Sequence, residues 1–200
     1  MKKVFLGFLF IIIPSISFKF GVNNQYVLEI LPRFLGYIFI FYGLNEMKNW
    51  GENFNQSSKI CRIIVIYTAA IWTLRLVGID QASILSLAES FGMLYMIFKI
   101  NQGFSVIEKR YGTDLNSYKL RVTWRAMFAF ETISAVITLV SLLLKIENIL
   151  IAGIIFIVLI ADLIAYVAFL ANLYQAKVNF ESFLYNYVTE TPQSIEEKNR

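Results

Sequence analysis

The chemistry this chain can offer sits in two groups of ionisable side chains, each set in apolar sequence. The first is Glu29, Arg33, Arg75 and Glu89, with Trp72 one helical turn before Arg75. The second is Glu131 and Asp162, with Ser134 and Thr138 continuing a stripe from Glu131. Charged groups at membrane depth are costly and persist where they pair, conduct or bind, so their placement is the most informative feature of the sequence.

At the rise of an α-helix, Arg33, Arg75 and Glu89 all come out roughly 5 to 10 Å below the outer boundary of a bilayer, with Glu29 just above them. Two acids and two arginines at one level neutralise one another. They form either an ion-pair network that fixes helix packing or a polar pocket open to the outside. Trp72 can stack on the Arg75 guanidinium or on a ligand. Glu131 and Asp162 come out roughly 14 to 17 Å from the inner boundary, near mid-membrane. Two neighbouring carboxylates at that depth do not easily both stay ionised: one holds a proton, or a cation binds between them. The alternative is two separate hydrogen-bonded carboxylic acids. Ser134, Thr138, Ser141 and Lys145 follow Glu131 on one helical face, a stripe that faces other helices or a water-filled path rather than lipid.

Much else is absent. There is no His and one Cys, Cys61, so a zinc site of the His/Cys type and a disulfide within the chain are both excluded. No nucleophile-and-base arrangement, phosphate-binding glycine loop or redox motif stands out. The expectation is no cofactor and no metal, with an enzyme as the least favoured class. The net charge of +4 does not imply nucleic acid, because the basic residues flank apolar blocks, where orientation rules explain them.

The elements that must position these side chains are membrane helices. The chain is 58% hydrophobic and 16% charged, with a mean hydropathy of +0.61, whereas soluble domains are nearer half apolar and a quarter charged. The apolar residues come in blocks of about 20, the length needed to cross a bilayer. The expected fold is all-α: a polytopic membrane bundle of six transmembrane helices in one domain over 1–190. The expected helices are 4–20, 30–50, 61–79, 83–101, 122–144 and 149–173. An amphipathic extension at 174–189, with Phe180, Phe183, Leu184, Tyr187 and Val188 on one face, is expected either to extend the last helix or to lie flat at the interface. A flexible tail, 191–200, follows after Pro192. The connection 102–121 should hold a short amphipathic helix bearing Phe104, Ile107 and Tyr111. Gly112 ends it, and Thr113 or Asp114 caps the next helix. Ser15-Ile16-Ser17 leaves a cleaved signal peptide as the alternative to a first helix bent at Pro14.

The segment from Glu29 to Trp50 organises the rest. Glu29, Arg33, Gly36, Ile40 and Gly43 fall on one helical stripe, with Glu29 one turn before Arg33 in the favourable order for an ion pair. Gly36 and Gly43 leave a groove for another helix. Pro32 must then sit in the first turn. The pattern Leu31-Pro32-x-Phe34-Leu35-Gly36-Tyr37, followed by Gly43-Leu44, resembles a set of small membrane proteins of unknown function from low-GC Gram-positive bacteria. The position after the proline, often acidic there, is Arg33 here. The resemblance covers mainly this segment and implies a bacterial inner-membrane protein. In size and helix number the chain also resembles the substrate-binding subunits of vitamin importers in Gram-positive bacteria, although its first helix lacks spaced alanines.

The loop charges set the topology. One side receives Lys2, Lys3, Lys48, Lys59, Arg62, Lys99, Lys109, Arg110, Lys119, Arg121, Lys177, Lys198 and Arg200, and the other Lys19 and Lys145. Both termini are therefore expected in the cytoplasm. The expected function is a multi-pass protein of the bacterial cytoplasmic membrane that handles a small solute or ion. The alternative is a non-transporting partner or stabiliser subunit bound to another membrane protein.

Overall fold

Apolar residues recur at helical spacing along most of this chain, and helices form where Gly and Pro do not interrupt them. The computed structural model describes residues 1–12, 17–20, 26–29, 32–76, 82–144 and 149–198. Helix α1 spans Lys2–Ile12. A hairpin follows, with β1 at Ser17–Phe20 antiparallel to β2 at Tyr26–Glu29. Then come α2 (Arg33–Met47), a 3-10 turn (Lys48–Trp50), α3 (Glu52–Leu76), α4 (Ala82–Tyr111), α5 (Ser117–Leu144) and α6 (Ile149–Lys198).

Each helix packs on its neighbour in sequence, and α1 also packs on α6, closing a ring. The pairings are antiparallel throughout. Gly7 abuts Gly36 while Val4 abuts Gly43. Phe54 covers Gly103 while the Tyr67 hydroxyl donates to the Leu85 carbonyl. Trp124 Nε1 donates to the Leu94 carbonyl while the Ser117 amide donates to Glu108. Phe5 meets Tyr174 while Phe8 meets Phe169. One end of the bundle therefore gathers the start of α1, the α2–α3 turn, the α4–α5 turn and the middle of α6. A ring-on-ring cluster of Trp50, Tyr111, Phe180, Phe183 and Tyr187 joins three of these segments there.

Several helices begin and end away from the expected positions. The first stops by Ile12 instead of running to 20, and 17–20 is a strand. Pro14 has no N–H to continue a helix, and Ser17-Phe-Lys-Phe20 alternates polar and apolar at the period of a strand. The second starts at Arg33, not near 30, because Pro32 is its N-cap in an extended conformation, φ −64° and ψ 137°. Glu29 thus ends a strand and does not share a helical stripe with Arg33. The third starts at Glu52, nine residues before expected, since Phe54, Ser57, Ser58 and Cys61 form a buried face through the polar stretch. The fourth continues to Tyr111 with Phe104 and Ile107 buried, so the expected surface helix is the last part of a core helix.

Gly112 does end α4, with φ +65°. Its amide donates to the Glu108 carbonyl at 2.9 Å, the single backbone bond of a left-handed cap. Asp114 Oδ1 accepts from the Asn116 amide, but the carboxylate that caps α5 comes from α4. Glu108 accepts from the amides of Leu115 and Ser117 at 2.8 and 2.9 Å and from the Ser117 hydroxyl. The last helix runs unbroken through 173 and Pro192 to Lys198. Nothing between Leu173 and Phe180 breaks helix, and Leu173, Ala176 and Phe180 are buried in the core, so 174–189 is not a separate helix lying flat. The turns at 21–25, 77–81 and 145–148 lie outside the described residues.

Among the described residues, two segments are long and apolar enough to cross a membrane: Ser117–Val140 in α5 and Phe156–Thr189 in α6. Only 17% of each apolar window is buried, unlike the core helix of a soluble protein. Six spans are not reached by length alone, because α1 has 11 residues and α2 has 15.

Candidate functional site

The ring opens around a cavity of about 290 Å³. Its walls come from five helices: Ile11 and Ile12 of α1, Arg33 and Tyr37 of α2, Glu89, Ser90 and Met93 of α4, Glu131 of α5, and Leu159, Asp162, Leu163 and Tyr166 of α6. The two groups of charges singled out from sequence therefore contribute to one site. Antiparallel packing brings the end of α1, the start of α2, the first half of α4, the middle of α5 and the first third of α6 to one level.

Arg33 stands at the start of α2 with its side chain about half exposed, and its Nη1 lies 3.9 Å from Glu89 Oε1. The same oxygen accepts a 3.2 Å hydrogen bond from the Tyr37 hydroxyl. Tyr37 is fully buried, one turn below Arg33, so α2 presents a cation and a phenol to one carboxylate. This bond links α2 directly to α4. Deeper in, Glu131 and Asp162 are both half-buried on the cavity wall. Asp162 Oδ1 is buried and has no hydrogen-bond partner among the described residues. A buried carboxylate oxygen without a partner is costly unless a proton, a cation or a water satisfies it.

The remaining expected site residues are not among the described lining residues. Arg75, in the last turn of α3, is half-buried and is not among the described lining residues. Trp72 packs edge to face on Phe34, ring centroids 5.6 Å apart, and its indole N–H is buried without a partner among the described residues. α3 contributes nothing to the described walls. Ser134 and Thr138 are half-buried on α5 but do not line the cavity. The side chains of Glu29, Ser141 and Lys145 lie outside the described residues.

Sequence reasoning missed Tyr37, Tyr166, Ser90 and Met93. A signal for the tyrosines was present: Tyr37 stands four residues after Arg33, and Tyr166 four after Asp162, which places each on the same helical face as its charged partner.

Chemically, the site is a small chamber with an ion pair at one wall and two further carboxylates at another. Tyrosine supplies both ring faces and hydroxyls. With Arg33 held by Glu89, no Lys or Arg among the described residues lies within ion-pair distance of Glu131 or Asp162. The chamber therefore favours a positive guest. No family model, curated protein or solved structure matches the chain.

Proposed function

We propose that the chain is a multi-pass protein of the bacterial cytoplasmic membrane, with six spans and both termini inside, that takes a small cationic solute or ion into this cavity. The observation that carries the reading is the buried Asp162 Oδ1, without a partner among the described residues, in a chamber with Glu131 whose one arginine among the described lining residues is already paired. A proton or a monovalent cation offsets one of the two carboxylate charges on that wall and so relieves their mutual repulsion. Among the described residues no cluster of three ligating side chains has the geometry of a metal site, so a multidentate metal is less favoured than a proton, an alkali ion or an ammonium group.

Support for the six spans comes from charge and exposure. The end that gathers the α2–α3 and α4–α5 turns carries Lys3, Lys48, Lys109, Arg110 and Lys119, as expected of a cytoplasmic face. The cavity then lies towards the outer half. Large apolar side chains such as Ile63, Ile66, Phe156, Ile157 and Ile164 are more than half exposed, a surface suited to lipid rather than water.

The test uses purified protein in proteoliposomes. Cavity binding predicts that Na⁺, K⁺ or methylammonium raises the melting temperature of the wild type and leaves Glu131→Gln and Asp162→Asn unmoved. A proton as the guest predicts pH-dependent melting in the wild type alone. A wild type that responds to neither overturns the proposal. A C-terminal reporter active only outside the cell overturns the topology.

One observation favours the second reading, a partner subunit. α6 is about 75 Å long by its rise per residue, and Tyr185 and Val188 near its far end are about 70% exposed, at 72% and 67%. An apolar arm of that kind suits another membrane protein. Specific co-purification of one partner through α6, together with an unresponsive cavity, would establish it.

A further inference from the structure

A second cavity, about 260 Å³, opens between α4 and α5 near the end that carries the α4–α5 turn. Phe98, Asn101, Gln102, Arg121, Trp124 and Arg125 line it. Asn101 is buried. In the orientation that satisfies both ends of its carboxamide, it donates to the Ser117 carbonyl at 3.0 Å and accepts from the Arg121 amide at 2.8 Å. It is thereby consumed in holding α4 to the start of α5. The two arginines are not. Among the described residues the Arg121 guanidinium reaches only the Ser105 hydroxyl, at 3.3 Å, and no acidic group lies within ion-pair distance of either guanidinium.

Two like charges one turn apart on a helix repel unless an anion lies between them. Arg121 and Arg125 rise about 6 and 12 Å along α5 from Ser117, so both lie within about three turns of the end read as cytoplasmic. The planar fork of each guanidinium suits two oxygens of one phosphate. From this cavity an aromatic strip continues along the same helix pair: Phe98 on Trp124 at 5.0 Å, Trp124 on Phe128 at 5.5 Å, and Phe128 on Phe91 at 6.4 Å. Phe91 and Phe128 are 37% and 43% exposed, leaving an apolar path that runs away from the basic cavity. A basic cavity leading to an exposed apolar strip matches an amphiphile with an anionic head.

We infer that the α4–α5 cavity is a binding site for an anionic phospholipid of the inner leaflet, its phosphate held by Arg121 and Arg125 and an acyl chain lying along Phe91, Trp124 and Phe128. The inference rests on the membrane reading above and is independent of the central cavity.

Native mass spectrometry of the full chain in detergent tests it, with phosphatidylglycerol and phosphatidylcholine offered in competition. The wild type should retain phosphatidylglycerol in preference. The double variant Arg121→Gln/Arg125→Gln should bind it about tenfold more weakly, the equivalent of one lost charge-assisted contact. Lys109→Gln/Lys119→Gln, equally basic but outside the cavity, should bind it as the wild type does. An unchanged melting temperature in phosphatidylcholine alone shows that the double variant is folded. Equal retention of the two lipids, or wild-type affinity in the double variant, overturns the site. Inorganic phosphate that protects the protein as well as the lipid does would reassign the cavity to a free anion and overturn the lipid. A chain recovered from the soluble fraction sinks the membrane reading as well, whereas lost lipid preference in a chain still in the membrane sinks this inference alone.

Discussion

Where the chain begins, α1 and α2 touch backbone to backbone; towards the other end of the same two helices, the ring stands open around four ionisable side chains. In the first region a Cβ on Gly7 would lie 2.5 Å from the Gly36 carbonyl oxygen, and one on Gly43 would lie 2.6 Å from Val4. Val4, Phe8, Ile40 and Leu44 around them are fully buried. In the second, Ile11 and Ile12 of α1 and Arg33 and Tyr37 of α2 flank a chamber of about 290 Å³. Close packing over the glycines supplies dispersion contacts along the whole seam. The chamber forgoes them and keeps a buried oxygen without a partner among the described residues. The difference teaches that stability and binding are divided along the helix axis, so a substitution should reveal which region it belongs to by the sign of its effect.

The largest effect is expected at the glycine seam. Gly7→Val places a branched side chain against the α2 backbone, which cannot move aside as a side-chain tip would, and should cost about 3 kcal/mol. Thermal melting and the yield of monodisperse protein measure this. An unchanged melting temperature would remove the contrast between the regions.

A smaller loss is expected at the α4–α5 turn, where Glu108 caps α5. Glu108→Ala strands two amides and a hydroxyl and should cost about 1 to 2 kcal/mol. Glu108→Gln should recover part of this. Hydrogen exchange at residues 115–118 reads the loss locally.

At the chamber the sign should reverse. Asp162→Leu replaces a costly buried carboxylate with an apolar group and should stabilise by about 1 kcal/mol while abolishing the response to cations. Lower stability together with a retained response would mean that Asp162 is a packing group. The smallest change is expected for Arg33→Gln. Its ion pair is long and its side chain half exposed, so the loss should stay below about 1 kcal/mol and shrink further in high salt.

The charges were legible in the sequence because each stands out against apolar neighbours, and helical rise alone put Arg33 and Glu89 at one depth. Gly112 was legible as a helix end, since a left-handed residue there requires little beyond glycine. The hairpin was hidden because its apolar residues continue those of α1 in composition. Whether 174–189 extends the last helix or lies flat was left open by the sequence because an amphipathic face has a period but no address: Phe180 looks the same whether it meets lipid headgroups or Trp50.

Two local properties, hydrophobic period and side-chain charge, were set by sequence alone. They determined that the fold is helical and which groups would be expensive to bury. What those groups meet was decided by tertiary structure, because antiparallel register between distant helices chooses the partners. That register brought Glu131 and Asp162 into one chamber with Arg33 and Glu89. It turned Tyr37 and Tyr166 towards them and left Arg75 and Trp72 off the described walls. No spacing within a single helix encodes such a choice, since it depends on which backbones can approach, and here the glycines of α1 and α2 decide that.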